Sequence, residues 1–513
     1  MSIPLVLTFD LGTQSGRAVL VDQSGNILYK VQKKYDTPYY SLKKNWAEQK
    51  PSFYWDIICK ISLELKEMVG DLWNDIIAVT CTTIRDSNIC LDKNCEPLRD
   101  MILWLDKRET DCDNPFPLVK KSLFKLVGMD QSALSQFRVS SCNWIRENEP
   151  GIWEQTYKFV MLSAYLTYRF SDRLVDSTAN IIGHVPFNNK KRDWQKPNEL
   201  TYCLFPVDKQ KLCDLVEPGD LIGTITQKAS DETGIPVGIP LIATGSDKGC
   251  ETLGLSCTTP DKAALSFGTT ATVQITTSKY VEPMMFFPAY PAVLREHYNP
   301  EIQIYRGYWL ITWFKKEFAS REVDQAKKLG LSPEDLLNAR LKEVDPGCDG
   351  LILHPYFTPG LVMPDVKGSI IGLSDVHSKI HVYRAIIEGL NYSLRNGLLT
   401  LQRRSKTKID SIYLAGGGSQ SDDICQITAN MFGIPVYRIQ THEASGLGSS
   451  MVAFVSLGVF KDYDEAISSM VHIKDEFLPD PSEFEFYDKI YHNIFTKVLS
   501  KLNPVYKKAK NIC

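Results

Sequence analysis

The stretch Leu5-Val6-Leu7-Thr8-Phe9-Asp10-Leu11-Gly12-Thr13-Gln14-Ser15-Gly16-Arg17 decides how the beginning of this chain folds. It starts as an apolar run, turns at Gly12 and continues into a second apolar run, 17–21. Turn-like residues at 22–26 then precede a third run, 27–31. Short apolar runs bounded by turn residues are typical of strands. The sequence therefore predicts a three-stranded meander whose first turn directly follows an apolar strand.

A similar pattern recurs in the second half of the chain. The apolar run 263–267 leads into Gly268-Thr269-Thr270 and then into a β-rich run, 271–277. We interpret the recurrence as a duplicated fold. Because 513 residues with 43% hydrophobic composition exceed what one hydrophobic core usually serves, we expect two large domains, 1–254 and 255–513, with a cleft between them.

Other segments predict helices and loops around these strands. Residues 53–69 are amphipathic, and apolar residues of 380–398 recur at spacings of three and four, which is typical of a long helix buried along one stripe. We expect the acidic, aromatic tail after Asp475 to be helical as well. The stretch 217–240 is dense in proline and glycine and predicts loops and short strands.

Composition and charge narrow the class of partner. The formal net charge is −3 and the isoelectric point is near 6.3, so nucleic acid is not expected as a main partner. The apolar start is short for a secretion signal, and no apolar stretch is long enough to span a membrane. The odd number of cysteines, 13, suits reduced thiols. We therefore expect a cytoplasmic protein that binds small molecules, and leave its oligomeric state, a homodimer included, open.

The residues of the first turn suit a phosphate and a metal ion. Gly12 allows a tight turn near an anion, Asp10 can hold a hydrated Mg²⁺, and the residues that follow offer hydroxyl, amide and guanidinium donors. An ordinary hairpin turn is an equally good interpretation of this motif alone. The second copy, with Gly268 and Thr269, favours a polyphosphate. The candidate ATP-binding residues of the first turn are Thr13, Gln14, Ser15 and Arg17.

A third glycine-rich motif follows a predicted strand at residues 412–415. The glycines Gly416, Gly417 and Gly418 precede Ser421 and a helix-like segment, 422–432. Backbone without side chains beside a helix N-terminus allows a nucleotide to lie close. The motif lacks the spacing of the dinucleotide fingerprint. Without the other two motifs, a tight strand-to-helix turn would be the better interpretation.

The three motifs, in this order, resemble the FGGY family of carbohydrate kinases, which includes glycerol, xylulose, gluconate and autoinducer kinases. The likeness extends to residues 245–250, 381–389 and 418–436, and so covers nearly the whole chain. It implies an α/β fold of two ribonuclease-H-like (actin-like ATPase) domains flanking a catalytic cleft. The first domain would hold the sugar and the second would hold ATP, with Mg²⁺ as cofactor. The implied activity is ATP-dependent phosphorylation of a sugar or polyol hydroxyl.

The resemblance also assigns roles to individual residues. Asp247 matches the family's general base, although a helix cap is an alternative for an Asp after Thr244-Gly245-Ser246. Arg85 and Asp86 match an Arg-Glu pair that binds substrate in glycerol-kinase-like members, and a surface ion pair is the alternative. Trp104 matches a substrate-lining aromatic, and an ordinary core tryptophan is the alternative.

Some positions depart from the family pattern. The Gly-Gly facing the phosphates is represented at best by Arg306-Gly307-Tyr308, and the Gly-Glu-Arg stretch reads Thr358-Pro359-Gly360-Leu361. Thr272 stands where the glycerol kinases have an aromatic residue, which favours a substrate of four to six carbons over glycerol. The alternatives are a glycerol or autoinducer kinase specifically, or an actin-like ATPase or regulator without sugar kinase activity. Asp247 with Arg85 and Asp86 favours a kinase.

Overall fold

The computed structural model describes residues 3–285, 287–358, 365–510 and 512. Most of the stretch around Gly360, one of the departures from the family pattern, lies outside the described residues. The chain divides into two compact units. The first consists of Met1–Ser256, Tyr290–Tyr298 and Ala444–Val471, and the second of Cys257–Ala289, Asn299–Glu443 and His472–Cys513. A segment from late in the chain, Ala444–Val471, therefore packs with the N-terminal unit.

The described part of the first unit is built on a six-stranded sheet of order β5-β6-β4-β1-β2-β3. As predicted, β1, β2 and β3 form an antiparallel meander. Strand β4 runs parallel to β1, β6 runs parallel to β4, and β5 closes the edge antiparallel to β6. The strands are β1 (Leu5–Leu11), β2 (Ser15–Asp22), β3 (Ile27–Lys34), β4 (Ile76–Thr83), β5 (Leu221–Thr224) and β6 (Pro240–Ile242).

The described residues of the second unit repeat this arrangement in the order β9-β8-β7-β10-β11-β12. Again three antiparallel strands are followed by two parallel ones and an antiparallel edge. The predicted duplication is confirmed, and with it the mixed α/β fold class. The strands are β7 (Lys262–Phe267), β8 (Ala271–Ile275), β9 (Glu301–Ile304), β10 (Ser411–Ala415), β11 (Val436–Ile439) and β12 (Ile473–Phe477).

Strand β1 is buried along its whole length because both faces of the sheet are covered. On one face Phe9 packs within 5.7 Å of Phe170, whose ring also meets Trp55 of the helix Pro51–Val69. On the other face the Thr8 hydroxyl hydrogen-bonds with that of Ser450, in the helix Ala444–Ser456. This covering helix explains why Ala444–Val471 belongs to the first unit.

Helices surround both sheets. In the first unit they are Pro51–Val69, Leu118–Leu126, Asp130–Val139, Ser141–Asn148, Pro150–Gln155, Leu162–Ser171, Gln227–Thr233, Asp247–Gly254, Ala444–Ser456 and Tyr463–Met470. In the second they are Trp309–Phe318, Ser320–Leu329, Pro333–Asn338, Lys379–Ser405, Asp422–Phe432, Pro481–Ile490 and Thr496–Lys510. The predicted helices at 53–69 and 380–398 are confirmed. In the described part of the chain, no helix has the length and apolar character needed to cross a membrane.

Small sheets complete both units. A four-stranded sheet joins Glu48–Gln49, Met101–Ile102, Asn88–Leu91 and Lys158–Met161 among the described residues. The paired short strands are Val175–Ser177 with Asp214–Val216, Phe187–Asn188 with Asp193–Trp194, Tyr290–Pro291 with Tyr298–Asn299, and Ile352–His354 with Ser369–Ile371.

Candidate active site

The first glycine turn joins β1 to β2 and fixes a buried carboxylate beside it. The turn is closed by a hydrogen bond of 3.0 Å from the Gly12 amide to the Ser15 carbonyl. Asp10, near the end of β1, accepts a hydrogen bond of 3.1 Å from the Thr82 hydroxyl at its Oδ1. Its Oδ2 lies 3.7 Å from the Arg17 guanidinium. The predicted metal ligand is therefore a carboxylate held at both oxygens.

The three residues at the tip of the turn differ in accessibility. Gln14 is exposed, and the Thr13 hydroxyl accepts a hydrogen bond of 3.0 Å from the indole N–H of Trp104. Ser15 is buried at the start of β2, and its hydroxyl accepts a hydrogen bond from Gln32 at 3.1 Å. Of the three candidate ATP contacts in the tip, Ser15 is thus the one most engaged by the protein itself.

Asp247 opens the helix Asp247–Gly254 but does not cap it. The cap is Ser246, whose hydroxyl accepts a hydrogen bond of 3.3 Å from the Gly249 amide. The Asp247 side chain is 33% exposed, and its Oδ1 lies 3.9 Å from Nε of Arg85. Asp247 is therefore a partly accessible acceptor paired with a guanidinium.

Arg85 and Trp104 connect the Asp247 carboxylate to the first glycine turn. The guanidinium carbon of Arg85 lies 5.7 Å from the ring centre of Tyr290. Two residues further along, the Ser87 hydroxyl accepts a hydrogen bond of 3.3 Å from the Trp104 amide. Since the indole of Trp104 also reaches Thr13, the structure brings the predicted sugar residues and the first phosphate turn together in one unit.

The second glycine turn, Gly268-Thr269, is braced by Arg306-Gly307-Tyr308, the segment that departs from the family's Gly-Gly. The Tyr308 amide donates to the Gly268 carbonyl and the Gly307 amide donates to the Thr269 carbonyl, both at 2.9 Å. A Cβ on Gly307 would lie 2.2 Å from the backbone nitrogen of Ala271. Only a glycine allows the 306–308 segment to approach β8 so closely.

The third motif turns from β10 into the helix Asp422–Phe432. Ser421 caps this helix by accepting a hydrogen bond from the Ile424 amide, and the helix bounds match the prediction. Gly416 has a φ of 84°. A Cβ on Gly418 would lie 2.3 Å from the ring of Tyr308, whereas a Cβ on Gly417 would have nothing within 4 Å. The exposed Gly417 therefore leaves open space above the backbone beside a helix N-terminus.

Comparison with known proteins assigns the chain to a family. The N-terminal domain profile of the FGGY family of carbohydrate kinases matches residues 5–254, and the C-terminal domain profile matches residues 263–457. This chain belongs to the FGGY family. The predicted family and enzyme class are confirmed: the protein is a carbohydrate kinase.

Relatives of the chain in the FGGY family match over almost its full length. It is 27% identical over 497 residues to a xylulose kinase of Lactococcus lactis, covering 95% of each chain. It is 26% identical over 477 residues to a gluconokinase of Bacillus subtilis, covering 91% of this chain and 90% of the relative. The crystal structure of a ligand-bound xylulose kinase from Lactobacillus acidophilus is 22% identical, with a TM-score of 0.83, covering 99% of this chain and all of that one. This structural likeness confirms the two-domain fold.

Sequence reasoning missed a loop that organises the first unit of this FGGY kinase. The buried carboxylate of Asp176 accepts hydrogen bonds from the Ser163 hydroxyl and the Asn180 amide, and burial raises its pKa to about 6. The loop after it accepts two further bonds, from the Ser246 amide to the Ala179 carbonyl and from the Asp86 amide to the Ile182 carbonyl. One loop therefore positions both the start of the Asp247 helix and the Arg85-Asp86 segment.

Asp86 is engaged differently from what the glycerol-kinase pattern implies. Its Oδ1 accepts a hydrogen bond of 2.8 Å from the His184 amide, and its Oδ2 lies 2.6 Å from Nδ1 of the same histidine. Both carboxylate oxygens thus face one residue that the sequence did not single out. The direct contact of Asp86 with a sugar stays a prediction.

Among the described residues, no cluster of three or more His, Cys, Asp or Glu side chains is suited to hold a metal ion by itself. Mg²⁺ usually takes one or two carboxylates and completes its shell with water and substrate phosphates. The Asp10 carboxylate beside the first glycine turn fits that role. The donor set is therefore compatible with a metal that arrives with a nucleotide.

Proposed function

We propose that this kinase transfers the γ-phosphate of ATP to a hydroxyl of a neutral sugar or polyol, with Asp247 as the general base. The observation that carries the proposal is the state of Asp247. Ser246 satisfies the helix cap, so the Asp247 carboxylate is left partly accessible beside Arg85 at 3.9 Å. A carboxylate in that state can accept a proton from an alcohol.

Phosphoryl transfer depends mainly on position and on charge stabilisation. Asp247 orients the attacking hydroxyl and receives its proton as the new P–O bond forms. Arg85 holds the Asp247 carboxylate at one end, and its guanidinium is the cation proposed to bind substrate oxygens. Trp104 supplies an aromatic surface for the C–H groups of the sugar.

The nucleotide is proposed to bind through the three glycine motifs. Its phosphates are proposed to contact the first and second glycine turns, and its nucleoside to lie against the third motif. Asp10 would hold Mg²⁺, which would neutralise charge on the phosphates. The proposed ATP contacts are Thr13, Gln14, Ser15, Arg17, Gly268, Thr269, Gly416, Gly417, Gly418 and Ser421.

The charges around Asp247 support a neutral acceptor. Arg85 is balanced by Asp247, and His184 faces the carboxylate of Asp86. These four groups therefore carry no net positive charge, whether His184 is neutral or protonated. A sugar acid would gain no net attraction from these four groups, which favours a sugar like xylulose over one like gluconate.

The proposed substrate is larger than glycerol. Thr272, expected to widen the sugar site, is buried in β8 opposite Ser266 and Gln303. The preference for four to six carbons over glycerol is supported by the relative named as a xylulose kinase. Phosphorylation at a terminal primary hydroxyl stays part of the proposal.

We also propose that the kinase works in the cytoplasm. The cysteines for which the structure gives a state, from Cys59 to Cys425, are all free thiols. A homodimer stays a prediction.

A coupled ADP-release assay tests the proposed activity. The panel contains glycerol, erythritol, xylitol, D-arabinitol, D-mannitol, D-xylulose, D-ribulose, D-fructose and gluconate, each with ATP and Mg²⁺. We expect a neutral compound of four to six carbons to give the highest kcat/KM. Gluconate or glycerol as the best substrate would overturn the proposed substrate class, and ADP release that no member of the panel stimulates would overturn the sugar kinase mechanism built on Asp247.

A further inference from the structure

We propose that His184 contacts the substrate in the sugar site and that Asp86 holds it in place for that purpose. The inference rests on the proposed function, because it takes the neighbourhood of Arg85 and Asp247 as the sugar site. It changes the role of Asp86 from a direct grip on the sugar to the orientation of a neighbouring imidazole. We call these two residues the Asp86–His184 pair.

The Asp86–His184 pair is linked to the proposed base through Arg85. Asp86 directly follows Arg85, so their Cα atoms are about 3.8 Å apart, and Arg85 Nε lies 3.9 Å from Asp247 Oδ1. Asp86 then accepts hydrogen bonds from the amide and from Nδ1 of His184, at 2.8 and 2.6 Å. A chain of direct contacts thus runs from the base to the imidazole within one unit.

Backbone geometry locks the Asp86–His184 pair. Asp86 has a φ of 51°, a left-handed conformation, and its amide donates to the Ile182 carbonyl at 3.0 Å. Gly183 has a φ of 141°, and a Cβ there would lie 2.2 Å from Oδ1 of Asp86. Any other residue at 183 would push this carboxylate away. Left-handed residues and forced glycines are costly and are found where a side chain must be aimed.

The hydrogen bond to Asp86 determines which histidine nitrogen is left for a ligand. Nδ1–H donates to the carboxylate, so Nε2 is the remaining polar atom. Within the described residues, none hydrogen-bonds with Nε2, and the His184 side chain is 23% exposed. The ring of Phe205 packs against the imidazole edge-to-face at 5.3 Å and carries no charge. Nε2 is therefore an accessible polar atom on a fixed ring.

The chemistry of Nε2 suits a hydroxyl group. Burial disfavours the imidazolium, but the Asp86 carboxylate outweighs burial and raises the pKa of His184. Nε2 is an acceptor when the imidazole is neutral and a donor when it is protonated. A hydroxyl can donate and accept, so it pairs with Nε2 in either state. A polyhydroxylated substrate would place one particular hydroxyl there.

Monodeoxy analogues test the contact. The probe is whichever of D-xylulose, D-ribulose, xylitol, D-arabinitol and glycerol gives the highest kcat/KM, together with its analogues that each lack one hydroxyl. His184→Asn keeps an amide that can donate to Asp86 but removes Nε2. In the wild-type protein we expect the loss of one hydroxyl to lower kcat/KM about ten-fold, which corresponds to about 1.4 kcal/mol. His184→Asn should lower kcat/KM of the parent compound by the same factor. In this variant, removal of the same hydroxyl from the substrate should lower kcat/KM no further.

The coupling in kcat/KM between the His184 substitution and removal of one substrate hydroxyl distinguishes a direct contact from a structural role. The KM for ATP should stay unchanged in His184→Asn. An unchanged KM for the parent sugar, or an equal loss with the parent and with every analogue, would overturn the inference. His492→Asn is the matched control, because His492 is an exposed residue of the second unit. If the Asn variant does not fold in a thermal melt, His184→Ala takes its place with the same two outcomes.

A parallel Asp247→Asn variant distinguishes failure of the proposed function from failure of the His184 contact alone. If Asp247→Asn keeps its turnover, the proposed function fails, because the base lies elsewhere. If Asp247→Asn loses turnover while His184→Asn behaves as wild type, only the role of His184 fails.

Discussion

Gly417 and Gly418 offer a matched pair of substitutions for locating the nucleotide. A Cβ on Gly418 would lie 2.3 Å from the Tyr308 ring, whereas ordinary contact begins at 3.4 Å, so the ring must move by about 1 Å. That ring is stacked on Phe267 at 4.7 Å. Overpacking of this kind costs about 1–3 kcal/mol. We expect Gly418→Ala to lower the free energy of unfolding of the second unit by that amount.

Gly417→Ala should leave the fold intact and act on the nucleotide. Its Cβ would have nothing within 4 Å, so we expect the free energy of unfolding to change by less than about 0.5 kcal/mol. If ATP lies on this backbone, the new methyl group occupies its space at a cost of about 1–3 kcal/mol. The KM for ATP should then rise by about 5- to 100-fold, with the KM for the sugar unchanged.

Steady-state kinetics and thermal melts of both variants test where the nucleotide lies and how Gly418 packs. A Gly417→Ala protein with the stability and the ATP KM of wild type would show that the nucleotide does not lie over residue 417. A Gly418→Ala protein as stable as wild type would refute the packing argument itself.

Three further predictions concern the first unit. Arg85→Ala should raise the sugar KM by about 10- to 100-fold, because a charge-assisted hydrogen bond contributes about 1.5–3 kcal/mol; an unchanged value would assign Arg85 to structure alone. Chelation with EDTA should abolish turnover and added Mg²⁺ should restore it, and Asp10→Ala should lower kcat more than it raises either KM; turnover that persists in the chelator would exclude the metal. Burial raises the pKa of Asp176 to about 6, above its usual value of 3.8. The native state therefore binds this proton more tightly than the unfolded state between about pH 4 and 6, and stability falls as pH rises through that window. In urea unfolding, wild type should lose about 3 kcal/mol relative to Asp176→Asn between pH 4 and 7; parallel pH curves would contradict the burial argument.

Local patterns were sufficient to predict the strands of the first meander and the start of its repeat. The strands at β1, β2 and β3 and their repeat at β7 and β8 follow from short apolar runs and turn residues, because both signals are local. The helix at 422–432 was predictable because Ser421 and the glycines mark its start. The stretch 217–240 was predicted less completely. Besides loops and short strands it contains the helix Gln227–Thr233, which begins at a Thr226 cap and ends at a left-handed Gly234.

Long-range packing limited what could be predicted of the site. Asp86 was singled out by its position next to Arg85, but its partner His184 is 98 residues away and follows an inconspicuous loop. The loop after Asp176 acts through backbone carbonyls, which no side-chain pattern reveals. The helix Ala444–Ser456 packs on β1 because of contacts such as Thr8 with Ser450, 442 residues apart. Periodicity shows that such a helix is buried but not against which sheet.

Turnover and sugar binding of Asp247→Asn, measured side by side, test the central claim most directly. Asparagine keeps the shape of the side chain and its place after the Ser246 cap but cannot accept the proton. The account predicts that kcat falls by about 10²- to 10⁴-fold, while the Kd of the best neutral sugar, measured by calorimetry, stays close to the wild-type value. A variant that keeps most of its turnover would contradict the account, because the base would then lie elsewhere.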